Sequence, residues 1–188
     1  MDNLRIVLMG SGGVGKSTLY VRYTQDIFVE KYDPVYEGDY RKCFEMDTYQ
    51  YPLEISELHT SLEDMAYRDY YIKSANGFVI VYSTIDKPSF VTLSDIHSTI
   101  LRVRRENSCE DPPIIMAGNK VDLVEERTIT TESGEQLAFE LGCVFLETSA
   151  KTSINVKELF ETCAKLIIRK RNSVNTNKNG RGGGCSLI

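Results

Sequence analysis

The strongest constraint on the fold is a glycine-rich segment at residues 10–17, which reads G-S-G-G-V-G-K-S. It matches the pattern G-x-x-x-x-G-K-[ST] and stands between an apolar run at residues 4–9 and a helix-like stretch at residues 17–25. Glycines let the backbone turn tightly, so that successive N–H groups converge on anionic oxygens, and the following helix adds its N-terminal partial positive charge. We therefore predict a phosphate-binding loop between the first strand and the first helix.

The pattern also assigns roles within this loop. Lys16 is expected to pair with the terminal phosphates of a nucleoside triphosphate, and the Ser17 hydroxyl is expected to bind Mg²⁺. The motif does not select the base. The residues expected to surround the phosphates are Gly12, Gly13, Val14, Gly15, Lys16, Ser17 and Thr18.

Strand-like apolar runs alternate with helical stretches along the whole chain. This alternation predicts an α/β protein with the three-layer phosphate-loop NTPase fold, a six-stranded, mostly parallel sheet and about five helices. Ligands of such sheets lie beyond the carboxyl ends of the strands. The predicted strands are residues 4–9, 41–46, 49–55, 78–83, 114–117 and 144–146, and the predicted helices are residues 17–25, 62–74, 88–105, 132–141 and 155–170.

The strand predicted at residues 114–117 precedes a possible base-binding loop. This loop contains Asn119, Lys120 and Asp122 in the pattern N-K-x-D. A carboxylate accepts two hydrogen bonds at once, and guanine offers two adjacent donors that adenine lacks. Adenine would leave Asp122 buried and unpaired, which is costly. We therefore predict that Asp122 selects guanine, that Asn119 ties the loops together and that the Lys120 stem lies on the base plane.

A second base-binding segment, E-T-S-A-K, follows the last predicted strand at residues 147–151. The backbone N–H of Ala150 is expected to meet the guanine carbonyl oxygen, while Ser149 and Lys151 shape the turn. This short motif is weak alone, but it completes a guanine site as the third segment after the two others.

The charge distribution separates the tail from the body of the chain. The formal net charge is −5, yet residues 169–188 hold five basic residues and no acidic one. An acidic body argues against broad nucleic-acid binding, and we expect no nucleic-acid partner. The basic tail indicates an anionic surface as its partner, and the alternative is a solvated tail without a partner.

The chain has five cysteines, an odd number in no metal-site spacing. Four of them are predicted to be small core residues in a reducing compartment: Cys43, Cys109, Cys143 and Cys163.

Cys185 instead begins C-S-L-I, a C-a-a-X prenylation pattern whose terminal Ile188 favours geranylgeranyl. One lipid anchors weakly, so the basic residues would supply a second signal. We expect a domain at residues 1–171 and a flexible tail at residues 172–188. The tail would hold the protein at the cytosolic face of a membrane, the plasma membrane being preferred.

From these motifs the chain resembles a small GTPase of the Ras and Rap branch, over residues 4–171 and again at the last four residues. Supporting phrases are Y-D-P at residues 32–34, Y-R-K at 40–42, I-L-R-V at 100–103 and I-N-V at 154–156. The resemblance implies GTP or GDP and Mg²⁺ as ligands, and Phe28 packed across the guanine. It also implies an exchange factor, a GTPase-activating protein, and effectors bound by a first switch made of Tyr32, Asp33, Pro34, Val35, Tyr36, Glu37, Gly38, Asp39 and Tyr40.

Both switches depart from the family pattern. Val35 replaces a threonine that binds magnesium, and the second switch reads E-L-H-T-S at residues 57–61 instead of D-x-x-G-Q. Glu57 keeps a carboxylate for water-mediated contact with magnesium. Thr60 replaces a glycine beside the phosphate, and Ser61 is too short to orient the attacking water as glutamine does.

These departures predict a GTPase with slow hydrolysis, in which Lys16 still acts and Ser61 is a poor substitute. His59 as a replacement base is the less favoured alternative to an exposed histidine without a role. A rival interpretation is a pseudo-GTPase that holds a nucleotide and presents a fixed surface to a partner. A phosphate-loop kinase or ATPase is opposed by Asp122.

Overall fold

The computed structural model describes residues 3–28, 40–59 and 65–179, with the side chains of residues 40, 59 and 174–179 left undescribed. Six strands form one sheet in the order β2-β3-β1-β4-β5-β6. The strands are β1 Leu4–Gly10, β2 Tyr40–Met46, β3 Tyr49–His59, β4 Gly77–Ser83, β5 Ile114–Asn119 and β6 Val144–Thr148. The helices are α1 Lys16–Gln25, α2 Met65–Ser74, α3 Lys87–Val91, α4 Leu93–Glu106, α5 Thr131–Leu141 and α6 Val156–Asn179, with a 3₁₀ turn at Val124–Glu126.

The sheet is parallel except for the β2–β3 pair. The central strand β1 shows how its two faces are covered. Leu4, Ile6 and Leu8 lie in a core cluster with residues of α1 and α6, while Val7 and Met9 lie in a second cluster with residues of α2 and α4. The predicted α/β class, with helices on both faces of a mostly parallel six-stranded sheet, is therefore confirmed.

The long helix predicted at residues 88–105 is present with a break. α3 and α4 are separated by Thr92 alone, whose backbone is still near-helical at φ −73° and ψ −11°. Counted as one interrupted helix, the pair gives the five helices expected. The Thr92 hydroxyl donates to the carbonyl of Ser89 at 3.0 Å, so a side chain supplements the backbone ladder at the break.

Four strands run further than predicted at their carboxyl ends, β1 by the single residue Gly10. β3 continues to His59, β5 to Asn119 and β6 to Thr148, so Asn119 ends a strand instead of lying in a loop. Asn119 and Thr148 are register partners. Pro52, which lacks a ladder donor, stands opposite Cys43 and one residue before β1 begins to pair with β3.

The last helix differs from the flexible tail expected from residue 172. α6 continues to Asn179, because each added residue extends an existing helix by one hydrogen bond without a new nucleus. Its surface is anchored where Arg171 donates to the carbonyl of Asn3 at 3.2 Å and Lys170 donates to the carbonyl of Asp111. Among the described residues, no helix has the length and apolarity needed to cross a bilayer.

The cysteine prediction was partly wrong. Cys163 is buried, and burial raises the pKa of its thiol to about 12. Cys109 and Cys143 are half-buried, but Cys43 is exposed. Successive side chains of a strand point to opposite faces, and on β2 it is the neighbouring Phe44, only 3% exposed, that enters the core.

Candidate nucleotide-binding site

The glycine-rich loop joins the carboxyl end of β1 to the start of α1 at the middle of the sheet. Gly15 is the N-cap residue of α1 and has φ 93°, a conformation that strongly favours glycine. A Cβ at Gly15 would stand 2.5 Å from Asn119 Nδ2, so a side chain here would push the two loops apart. At Gly10, a Cβ would stand 2.3 Å from the carbonyl oxygen of Val81 on β4.

Lys16 is held inside this loop. Its ammonium donates to the carbonyl oxygens of Gly10 and Ser11, each at 2.9 Å, and the residue is 3% exposed. Burial lowers the pKa of Lys16, and the negative charge of Glu57 opposes that shift. A buried ammonium with only partial compensation favours an anion beside it, which is the charge balance a phosphate would supply.

Ser17 and Glu57 bring a hydroxyl and a carboxylate together. Glu57 lies on β3 opposite Leu8 of β1, and its Oε2 accepts a hydrogen bond from the Ser17 hydroxyl at 2.7 Å. Mg²⁺ prefers hard oxygen ligands and is commonly held by one or two carboxylates together with substrate phosphates. The oxygen atoms of the Ser17 hydroxyl and the Glu57 carboxylate are therefore chemically suited to Mg²⁺.

Asn119, at the end of β5, bonds to the loops after β1 and β4 and to the last residue of β6. Its Nδ2 donates to the carbonyl of Val14 at 2.9 Å, and its Oδ1 accepts from the Thr148 hydroxyl at 3.2 Å. The Thr84 hydroxyl donates to the Asn119 carbonyl at 3.2 Å, from the loop after β4. Asn119 is 2% exposed, so these bonds are shielded from competing water.

Asp122 and Ser149 bring the two predicted base-binding segments together. The Ser149 hydroxyl donates to Asp122 Oδ1 at 2.6 Å, and Ser149 Oγ in turn accepts from the backbone N–H of Thr152 at 3.0 Å. Lys120, between Asn119 and Asp122, has φ 70°. The turn after β5 is thus fixed from both sides.

Phe28 is the last residue of the described segment 3–28. It is half-buried and packs against the core cluster that contains α1 and α6 residues. Its ring centroid lies 6.0 Å from the Arg22 Cζ atom, within cation–π range.

Several residues that support these loops escaped the sequence interpretation. Thr84 and Arg22 bond to backbone carbonyls distant in sequence, and no local pattern signals such contacts. Glu147, noticed only as part of a segment, forms a two-oxygen ion pair with Arg127 in which Nη1 lies 2.5 Å from Oε1. Because each of these bonds joins residues that are far apart in the sequence, the spacing of motif residues alone could not predict them.

Other predicted functional residues lie outside the described part of the chain. These are the first-switch residues 32–39, Thr60, Ser61 and the tail residue Cys185. Tyr40 begins β2 and His59 ends β3, but their side chains are not described.

A parallel sheet with a glycine-rich phosphate loop after its first strand, and linked polar loops after its later strands, defines a phosphate-loop nucleotide-binding protein. Within that class, a model of the Ras family matches residues 5–169. The chain therefore belongs to the Ras family of GTP-binding small GTPases. Members of this family generally bind GTP or GDP with Mg²⁺ and interact with effectors, exchange factors and GTPase-activating proteins.

Proposed function

We propose that the chain is a Ras/Rap-like signalling protein that binds Mg²⁺-GDP and Mg²⁺-GTP at the carboxyl edge of its sheet. The observation that carries the proposal is the direct link between the phosphate loop and the base loops, made by Asn119 Nδ2 and the Val14 carbonyl at 2.9 Å. A nucleotide needs its phosphates and its base held at a fixed separation, and this bond sets that separation within the protein.

The phosphate end is assigned to Lys16, Ser17 and the loop backbone, with Thr18 beside them. Lys16 offsets phosphate charge, the Ser17 hydroxyl would bind Mg²⁺, and the Glu57 carboxylate, 2.7 Å from that hydroxyl, would contact the ion through water. The cation, when bound, neutralises charge on the phosphate oxygens. Gly12, Gly13, Val14 and Gly15 present backbone N–H groups to the phosphates.

The guanine end is assigned to Asp122, which accepts from the two adjacent donors of the base. The Ser149 hydroxyl at 2.6 Å from Asp122 Oδ1 supports this role, because it holds the carboxylate in one orientation. Phe28 and the Lys120 stem cover the base faces, Ala150 donates its backbone N–H, and Lys151 completes the turn.

Hydrolysis is proposed to be slow. Lys16 and Ser17 remain to stabilise phosphate charge, but Ser61 replaces the water-orienting glutamine and Thr60 replaces the adjacent glycine. Val35 has no hydroxyl with which to sense the terminal phosphate. The alternative is a nucleotide-holding module without turnover, which the combined change at these three positions favours more than any single change would.

Effectors are proposed to bind residues 32–40, and the basic, prenylated tail is proposed to hold the protein at an anionic membrane. Arg169, Lys170 and Arg171 lie on α6, the helix that leads to the tail. A single prenyl chain on Cys185 anchors weakly, and the basic residues supply the second signal.

The base assignment is tested by titrating labelled GDP and ADP against nucleotide-free protein. We expect a preference for GDP of several kcal/mol, because adenine leaves the Asp122 carboxylate unpaired. Asp122→Ala should remove most of that preference, whereas Asp95→Ala, at an acidic residue on α4, should leave it unchanged. Equal affinity for GDP and ADP, or full preference in Asp122→Ala, would contradict the assignment.

A further inference from the structure

Arg22 contacts both sides of the predicted base site, although it belongs to no nucleotide-binding motif. It lies in the last turn of α1. Its Nε donates to the carbonyl of Ala150 at 2.8 Å, and its Nη2 donates to the carbonyl of Lys151 at 3.2 Å. Its Nη1 donates to the carbonyl of Asp26 at 2.9 Å, which fixes the chain where α1 ends.

The guanidinium suits this position for geometric reasons. Its planar fork carries five donors in fixed directions, so one side chain reaches three carbonyl oxygens at once. The Arg22 side chain is only 15% exposed, and hydrogen bonds from a charged donor are roughly twice as strong as neutral ones. The Asp26 carboxylate at 3.5 Å is 91% exposed and adds little to this arrangement.

The contacts of Arg22 lead to one face and to the edge of the predicted guanine site. Arg22 is connected to Phe28 in two ways. Its guanidinium lies 6.0 Å from the Phe28 ring centroid, and it holds the carbonyl of Asp26, two residues before Phe28. Asp122 is reached through Ser149, the neighbour of Ala150, whose hydroxyl lies 2.6 Å from the carboxylate. Arg22 thus joins the residue placed over the base to the segment placed at its edge.

We infer that Arg22 is a positioning residue that clamps the 149–151 segment onto α1 and thereby slows release of the guanine nucleotide. The inference rests on the proposed function, since it requires a guanine at this site. Arg22 itself does not touch the ligand in this scheme. It acts by limiting the outward movement of Phe28 and of the 149–151 segment, which must separate before the base can leave.

The test is the dissociation rate of fluorescent GDP, chased with excess unlabelled GDP, in three variants. Arg22→Ala should release GDP roughly tenfold faster or more, because hydrogen bonds from a charged group are lost. Arg22→Lys keeps the charge and the stem but lacks the fork, so its GDP dissociation rate should lie between the rates of the unaltered protein and of Arg22→Ala. Arg102→Ala is the matched control, because it removes an arginine from an exposed pair with Glu106 and should release GDP at the unaltered rate.

A second measurement separates clamping from a general packing role. A ligand raises the unfolding temperature according to its affinity, so weaker binding shrinks the GDP-induced rise. We expect Arg22→Lys to reduce that rise more than it lowers the unfolding temperature of the nucleotide-free protein. An unaltered GDP release rate in Arg22→Lys, or an equal loss of stability with and without GDP, would overturn the inference. Absence of GDP binding by the unaltered protein would instead refute the proposed function.

Discussion

At the scale of single residues, Lys16 shows what a motif predicts and what it leaves open. The spacing of residues 10–17 indicated a phosphate-binding lysine, and the structure puts its ammonium in the loop, bonded to the carbonyls of Gly10 and Ser11. The motif does not indicate that burial lowers the pKa of this group. That shift depends on burial in the folded protein, and Glu57 on β3, which is remote in sequence, opposes it.

The base site divides in the same way between local and distant information. Asp122 and Ser149 were found from two short patterns, but the hydrogen bond between them exists only because β5 and β6 are neighbours. Arg22 and Thr84 act through their bonds to distant backbone carbonyls, and the amino acid at either position carries no sign of them. Sequence therefore indicated the residues proposed to face a ligand, but not the residues that hold them in place.

Tyr82 gives a residue-scale prediction about stability. It is fully buried, and its hydroxyl has no hydrogen-bond partner among the described residues. Burial, followed by the negative charge of Glu147, raises the pKa of this phenol, so it stays protonated and neutral. Tyr82→Phe removes the unsatisfied hydroxyl and should increase the free energy of unfolding by about 1 kcal/mol.

Urea unfolding of the nucleotide-free protein measures this change. Tyr67→Phe is the control, because that hydroxyl is exposed and donates to the Tyr71 hydroxyl at 3.1 Å. It should change stability by less than about 0.5 kcal/mol. A clear loss of stability in Tyr82→Phe would mean that the buried hydroxyl has a partner, such as an ordered water.

At the scale of elements, strand and helix types were predicted well and their ends less well. Periodicity identifies the middle of an element, whereas its end depends on what it pairs with. β5 reaches Asn119 because β6 continues alongside it to Thr148. α6 passes residue 172 because an existing helix extends at low cost, even through a polar sequence.

The start of α5 provides an element-scale prediction. Thr130 is its N-cap residue, and the Thr130 hydroxyl accepts from the backbone N–H of Ser133 at 3.2 Å. Thr130→Ala leaves that N–H without its cap and should lower the free energy of unfolding by about 1 kcal/mol. Thr131→Ala, one residue inside the helix, is the comparison and should be nearly neutral or slightly stabilising, because alanine has the higher helix propensity.

Thermal or denaturant unfolding of both variants decides the point. The capping role would be disproved if Thr130→Ala were as stable as Thr131→Ala. α5 packs against β6. Loss of the Thr130 cap should open the first turn of α5 more often, which appears as faster amide exchange there.

At the scale of the whole molecule, the fold places the candidate site where the strand order reverses. β1 has β3 on one side and β4 on the other, and the phosphate loop leaves its carboxyl end between them. Asn119, which ends β5, links this loop to Thr84 after β4 and to Thr148 at the end of β6. This arrangement followed from alternation and one motif, because parallel strands must expose their carboxyl ends at one edge.

The tail provides the first whole-molecule prediction. Cys185→Ser removes the proposed prenylation site and should move the protein from membranes to the cytosol in cell fractionation. Cys43→Ser, at an exposed cysteine on β2, is the control and should leave membrane association unchanged. Basic residues contribute at most about 1 kcal/mol each near anionic lipid, so they should not retain the protein alone. Membrane association that survives Cys185→Ser would refute lipid anchoring through this residue.

Turnover provides the second whole-molecule prediction, because it depends on the phosphate loop and both switches together. Phosphoryl transfer requires a positioned water and stabilised charge, with little covalent chemistry by the protein. Lys16, Ser17 and the loop backbone are expected to supply part of the charge stabilisation, and Mg²⁺-GDP binding should persist because Ser17 and the phosphates remain. Ser61 is too short to place the water as glutamine does, so intrinsic hydrolysis should be slower than about 10⁻⁴ per second, the order expected of this class.

Val35 extends the same argument to switching. A nucleotide shifts a conformational equilibrium only through contacts that differ between the two states. Without a side-chain oxygen at Val35, GTP and GDP should differ less in how they hold residues 32–40, and an arginine inserted by a partner should stimulate hydrolysis weakly.

Single-turnover hydrolysis by the purified protein measures the rate, and the combined variant Val35→Thr, Thr60→Gly and Ser61→Gln should raise it. An unaltered protein at or above 10⁻⁴ per second, to order of magnitude, would show that another group such as His59 or Glu63 positions the water. A combined variant with no gain would place the defect elsewhere in the site, because all three missing functions would then have been restored without effect.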